Sequence, residues 1–162
     1  MDLELTVYLS GEIHTPWRDE LADAAEALDL PIDFTGPVLD DAASDNCGTL
    51  ILGPEAEPFW KDHKSAKLNA IRTRTLIGEA DLVVVKFGAE SRQWNAAFEA
   101  GWAAALGTPY IVMHPREHTH ALKEVDAHAL AVCETTEQLV AILLYVTRGE
   151  VTRPGPSLSI VR

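Results

Sequence analysis

The residue in this sequence best suited to chemistry is Glu99. It stands inside an Ala-rich helical stretch, Gln93–Leu106, between Phe98 and Ala100-Gly101-Trp102. Burying an ionised carboxylate is expensive unless partners satisfy it, and so apolar a helix leaves little water-facing surface for one. Two readings follow. In one, Glu99 is a poorly solvated carboxylate that takes part in chemistry. Alternatively it is a structural carboxylate bonded to Arg72 or to loop amides.

Other polar residues gather where loops are expected. Glu12 and His14 follow the first strand and suit an acid and a base; Glu12 would equally favour the positive end of the next helix. Asp45 and Asn46 suit ribose hydroxyls, or an Asx-turn. Arg72 suits a phosphate or carboxylate bound bidentately, or simple neutralisation of Glu99 or Asp45. Trp94, between Gln93 and Asn95 in a polar segment, is expected to face a ligand, whereas Trp17 is expected in the core. His114, His118 and His120 do not make a metal site, because Pro115 interrupts them and no Asp or Cys completes the spacing; an exposed loop is expected. With no GxxxxGK[ST] and no GxGxxG, nucleotide hydrolysis and dinucleotide redox chemistry lose their usual loops, and no cofactor is expected.

The elements that must position these residues follow from periodicity. Leu3, Leu5, Val7 and Leu9 alternate with polar residues, which predicts a first strand. Thr15-Pro16 predicts a helix start, with the hydroxyl capping and the proline at the first helical position. A second strand is expected over Pro31–Thr35. From Val38 to Trp60 the pattern is lost, and a long connection of that kind is more often functional than decorative. Helical spacing returns over Asp62–Ala80. A strand (Asp81–Phe87), the Gln93–Leu106 helix and a strand (Pro109–Met113) come next. A short helix near Ala121-Leu122, a strand (Ala129–Cys133) and a helix (Thr136–Arg148) complete the pattern. Strands alternating with helices predict a parallel sheet covered on both faces, with ligands beyond the carboxyl ends of the strands. That rule brings the loop after the first strand and the loop after Phe87-Gly88 to one end of the sheet, with Glu99.

Composition bounds the partners. The chain has 162 residues, 47% of them hydrophobic, and a formal net charge of −12. One domain is expected over residues 1–150, with 151–162 as a tail or arm. The acidic balance argues against nucleic acid or an anionic membrane, though local donors can still hold a small anion. Cys47 and Cys133 lie far apart without metal spacing and suit a reducing compartment; with neither a signal-like N-terminus nor a membrane-length apolar run, a cytoplasmic protein is expected.

The blocks YLSGEIH (Tyr8–His14) with Trp17-Arg18, SDN (Ser44–Asn46), Asn69 with Arg72-Thr73, and QWNAAFEAG (Gln93–Gly101) resemble the bacterial YtoQ family. Glu99, Gly101, Ala103, Gly107 and Pro109 resemble, more widely, the nucleoside 2-deoxyribosyltransferases and related N-glycoside hydrolases. The resemblance implies an α/β, flavodoxin/Rossmann-like three-layer sandwich with a five-stranded parallel sheet. It also implies Glu99 as nucleophile and Tyr8 as the residue that orients it. Ser10, Gly11, Gly88 and Asn95 would line the sugar site, and Arg72 and His14 would meet an anionic or polar substituent. Many of those enzymes place a base-contacting aspartate six residues before the nucleophile; here that position is Gln93, which cannot deliver a proton. The expected function is cleavage or transfer at the N-glycosidic bond of a nucleoside or nucleotide. The alternative is a non-catalytic module binding a nucleotide-derived metabolite. Relatives of this fold commonly complete their sites from a neighbouring subunit, and the apolar helix carrying Phe98 and Trp102 adds to the expectation of a homodimer or larger homo-oligomer.

Overall fold

The first strand is more deeply buried than its alternation suggests. β1 (Leu5–Gly11) buries Val7, Tyr8, Leu9 and Ser10 in succession. It lies inside a parallel sheet of order β2-β1-β3-β4-β5, covered by helices on both faces. The other strands are β2 (Ile32–Thr35), β3 (Leu82–Lys86), β4 (Tyr110–Met113) and β5 (Ala131–Cys133). This is the five-stranded parallel α/β sheet expected from the sequence. The computed structural model describes residues 2–89, 93–153 and the backbone of 159–160.

Two apolar layers flank the sheet. On one face Val7, Leu9, Val84, Ile111 and Met113 pack against Trp17 and Leu21 of α1 (Trp17–Ala27) and Leu139 and Leu143 of α6 (Thr136–Arg148). On the other, Tyr8, Val83, Val85 and Val112 meet Ile77 of α3 (Pro58–Glu79) and Ala96, Ala100 and Ala103 of α4 (Trp94–Leu106). Those three alanines recur at helical spacing on one stripe, and their small side chains let α4 lie close to the strands. Fully burying one Leu, Val or Phe contributes roughly 1.5–3 kcal/mol, so each layer is a major source of stability. α5 (Lys123–His128) precedes β5.

Three expectations are corrected. The stretch read as a long connection contains α2 (Asp41–Leu52), capped by the Asp40 carboxylate, which accepts from the Ala43 N–H at 2.6 Å. Ser, Asp, Asn and Gly lower its intrinsic propensity, so the helix depends on packing against α3. Thr15 does not cap α1: Pro16 occupies the cap position without a side-chain bond, and Thr15 bonds to Glu12 instead. His114 is not in an exposed loop. It is buried, with Nε2 3.1 Å from Asp126 Oδ2 and Nδ1 2.8 Å from the Pro115 carbonyl. No His/Cys/Asp/Glu group able to hold a metal occurs among the described residues. Within the segment expected as a tail, β6 (Thr152–Arg153) pairs antiparallel with β7 (Ser159–Ile160); residues 154–158, 161 and 162 lie outside the described residues.

The crossing of α2 over α3 hinges on Gly48. A Cβ there would lie 2.4 Å from the Ser65 nitrogen and 2.5 Å from Lys64. The Gly48 N–H also donates to Ser65 Oγ at 3.1 Å, and Ser65 Oγ–H donates to the Asp45 carbonyl at 2.7 Å. Gly48→Ala should therefore force the helices apart and lower stability by about 1–3 kcal/mol, as overpacking does elsewhere. Urea unfolding measures this; an unchanged midpoint would show that α2 yields without penalty.

Candidate active site

The end of β1 is built around Ser10 and Gly11. Ser10 points to the α4 face and donates its hydroxyl to Glu99 Oε2 at 2.5 Å, the short distance of a charge-assisted bond. Gly11 has φ +97°, and a Cβ on it would lie 2.0 Å from the Lys86 carbonyl oxygen, so only glycine closes this strand end. Beneath Glu99 lies Tyr8, fully buried. Its hydroxyl sits beside the neutral Thr73 hydroxyl and the Glu99 carboxylate, whose charge it feels and towards which it is turned. Burial, reinforced by Glu99, raises the Tyr8 pKa, so the phenol stays protonated.

Arg18 acts on both members of this pair, and Arg72 adds its charge at Tyr8. Its guanidinium donates to the carbonyls of Glu12, Leu9 and Gly11 and lies 4.7 Å from the Trp17 ring centroid. Burial lowers its pKa, while the charges of Glu12, Tyr8 and Glu99 act the other way. Glu99 itself is shifted upward by desolvation; the Ser10 bond and the field of Arg18 oppose that shift without cancelling it.

Glu12 has the opposite environment. Its carboxylate accepts from the backbone N–H groups of His14 and Thr15 and from the Thr15 hydroxyl. Burial pushes its pKa up, but those bonds and the charge of Lys86 outweigh burial and hold it below the usual carboxylate value. Every donor around it stabilises the ionised form, so Glu12 organises the loop and is poorly suited to deliver a proton. Gly88 donates its N–H to Gln93 Oε1 at 3.1 Å, and a Cβ on Gly88 would lie 2.6 Å from Glu12 Cγ.

These parts open on a cleft of about 390 Å³. Gly11, Glu12 and His14 form one wall and Asp45, Asn69, Arg72 and Thr73 another, with Gln93, Trp94, Asn95 and Glu99 contributed by α4 and its approach. Ser10 and Tyr8 lie under the floor and Gly88 behind Glu12, rather than on the lining. Asn46 does not reach the cleft: its Nδ2 donates to the Ala42 carbonyl within α2. Trp94 is 71% exposed at the rim. Arg72 faces the cleft without a hydrogen bond or ion pair to the described residues, so the expected neutralisation of Glu99 or Asp45 by Arg72 gives way to the field of Arg18. A second cavity, of about 470 Å³, adjoins the first and shares Asp45, Asn69, Thr73, Asn95 and Glu99 with it.

Sequence reasoning missed Arg18 and Thr73 as neighbours of the Tyr8–Glu99 pair. The available signal was local. Arg18 follows a core tryptophan in the first turn of α1, and Thr73 is a polar residue on the buried stripe of α3.

The sequence matches the family model described as nucleoside 2-deoxyribosyltransferase YtoQ over residues 8–147. It is 39% identical over 148 residues to YtoQ of Bacillus subtilis (strain 168), spanning 91% of this chain and 100% of that protein. The chain belongs to the YtoQ family. Among solved structures, a conserved protein from Enterococcus faecalis V583 superposes with a TM-score of 0.57 at 16% identity, over 87% of this chain and 98% of that one. A 2-deoxyribosyltransferase from Bacillus psychrosaccharolyticus gives 0.54 at 18% identity, over 83% and 90% respectively. At such identities these two neighbours establish a shared fold.

The opposed carboxylates give a stability signature. Glu99 is shifted up, so its neutral form is favoured by the fold; the stability it confers is complete below the unfolded carboxylate range and lost as pH rises through its folded value. Glu99→Gln should therefore gain Tm relative to wild type on going from pH 4 to pH 8. Glu12 is shifted down, so its contribution is present above the unfolded range and lost as acid protonates it. Glu12→Gln should lose Tm at pH 7 and converge on wild type towards pH 3. Parallel Tm-against-pH curves for either variant would contradict the assigned environments.

Proposed function

We propose that this protein cleaves or transfers the N-glycosidic bond of a nucleoside or nucleotide, with Glu99 as the nucleophile. One observation carries the reading: Glu99 is desolvated, held by Ser10 at the carboxyl end of β1, and open to two adjoining cavities. A carboxylate oxygen of Glu99 attacks the anomeric carbon as the bond to the base breaks, its electron pair leaving with the base nitrogen. The product is a glycosyl ester. Water completes hydrolysis, or a second base completes transfer, and the carboxylate is regenerated. Ser10 fixes one oxygen and so aims the other; Tyr8 supports the carboxylate from below; Arg18 favours its ionised state. Asn95 and the loop carrying Gly11 fit the sugar, and Arg72 and His14 fit an anionic or polar substituent. Family membership and the deoxyribosyltransferase neighbour support this class of reaction.

A non-catalytic module binding a nucleotide-derived metabolite is the second reading. Gln93 favours it: at the position where relatives of this fold carry an aspartate, its Oε1 accepts from Gly88. Glu12 is similarly committed to loop donors.

The protein also assembles as a homodimer or larger homo-oligomer under this proposal. Phe98 and Trp102 line the second cavity, so the larger unpartnered apolar surface is that of Leu50, Ile51, Phe59 and Trp60, which are 77%, 70%, 66% and 52% exposed. Sedimentation at low micromolar concentration should show a species heavier than 17.7 kDa; a lone monomer would remove this part.

Base release from nucleosides and their 5′-monophosphates, read by chromatography, tests the reaction. Glu99→Gln should lower turnover by at least about a thousandfold while retaining ligand binding, since an amide keeps the volume but is a far poorer nucleophile. Tyr8→Phe should cost about ten- to a hundredfold, the loss expected for one supporting group. Ligand binding without release across the whole screen would establish the binding module. Release by Glu99→Gln at the wild-type rate would make Glu99 structural.

A further inference from the structure

The second cavity has a chemistry of its own. Phe98 and Trp102, two residues of α4, present aromatic rings 5.2 Å apart and tilted by 51°. Around them stand the carboxylates of Asp45, Asp62 and Glu99, with Ser65, Asn69 and Asn95 as neutral polar groups. Among the described residues that line it there is no Lys, Arg or His. Arg74 stands behind this wall, its guanidinium carbon 5.9 Å from the Trp102 centroid, without lining the cavity. In that contact the indole already meets a cation through its face. The first cavity differs: Arg72 and His14 line it and do not line the second.

An aromatic pair ringed by carboxylates, with no cation among the described lining residues, selects a flat, positively charged ring. Rings attract such a ligand through their faces, and the carboxylates repel an anionic one. The second cavity also meets the first at Glu99, where a sugar in the first cavity would project its base. From this juxtaposition we infer that the second cavity is a subsite for a cationic heteroaromatic base, such as a pyridinium or N7-alkylated purine, carried by an N-glycoside.

For its release step this inference rests on Glu99 as nucleophile; for its binding step it does not. A quaternised base solves the problem posed by Gln93 and Glu12. When Glu99 attacks the anomeric carbon, the carbon–nitrogen bond breaks and its electron pair cancels the positive charge on the ring nitrogen. The base departs neutral and needs no proton. Charge balances, because carboxylate and cation yield a neutral ester and a neutral heteroarene. Water then attacks the ester carbon, giving the free sugar, the carboxylate and a proton released to solvent. Neutral nucleosides instead need a group to protonate the departing nitrogen.

Matched pairs that differ in charge test the inference on the full-length protein. Nicotinamide riboside is compared with its uncharged dihydro form, and 7-methylguanosine with guanosine at pH 6, in ribose and 2′-deoxyribose series. Affinity is read by calorimetry and base release by chromatography. In at least one pair the cation should bind ten times more tightly or better, and Asp62→Asn and Phe98→Leu should each erase most of that preference. Both side chains are exposed, so these variants should fold as wild type does. Equal affinity within every pair, or a preference unmoved by both variants, would overturn the inference. Preferential cation binding without release would keep the subsite and remove the nucleophile reading. Glu99-dependent release from neutral nucleosides, with no cation preference, would keep the nucleophile and remove the subsite.

Discussion

One desolvated carboxylate governs how this end of the molecule is built. Glu99 lies against an apolar layer, where an unpartnered charge would cost several kcal/mol, and each neighbouring feature answers that demand. Ser10 donates to it. Arg18 supplies positive potential without a direct bond, and is itself restrained by the carbonyls of Leu9, Gly11 and Glu12 and by the ring of Trp17. Those carbonyls are where they are because β1 ends against β3 at Gly11, a position with no room for a side chain. The Glu12 loop then turns on its own carboxylate, packed against Gly88.

Buried Glu12 and half-buried Glu99 illustrate how environment, not residue type, assigns a role. Glu12 receives its donors from loop amides and a hydroxyl a few residues ahead, and is stabilised as an anion. Glu99 has one hydrogen bond and a more distant cation, and is left partly uncompensated. Uncompensated charge is destabilising to the fold and useful to chemistry, because a poorly solvated carboxylate has little hydration to shed before it attacks. The fold tolerates this in the second turn of α4, beside the ends of β1 and β3.

Much of this frame was legible in the sequence. The apolar runs at Leu82–Lys86 and Tyr110–Met113 and the alanine spacing of α4 carry strong periodic signals, and the end of the sheet that holds Glu99 follows from the parallel topology. The failures have physical causes. α2 was unreadable because its residues favour turns in isolation; its helix exists through the close crossing at Gly48, which is a tertiary fact. Thr15 carries the chemistry of a cap but is captured by Glu12, a competition between two short-range bonds that spacing alone does not resolve. Arg18 was passed over because its influence depends on which way a partly buried side chain folds back over its own loop, and periodicity holds no information about that.

Charge gives the cleft a direction. The whole molecule carries −12, a field that discourages anions in general. Against it Arg72 faces the first cavity with no ion-pair partner among the described residues, and His14 lies on the opposite wall. Asp62, Phe98 and Trp102 belong to the second cavity only. Under the proposed reading, a ligand spanning both would sit with its electron-rich end, hydroxyls or a phosphate, beside Arg72 and its electron-poor ring beside Asp62. Among the described residues, Glu99 and Asp45 are the charged side chains that line both spaces, and Glu99 is the one carried by α4. In the proposed reaction the boundary of these spaces falls between a sugar and whatever the sugar carries, which is where an attack on the bond joining them would begin.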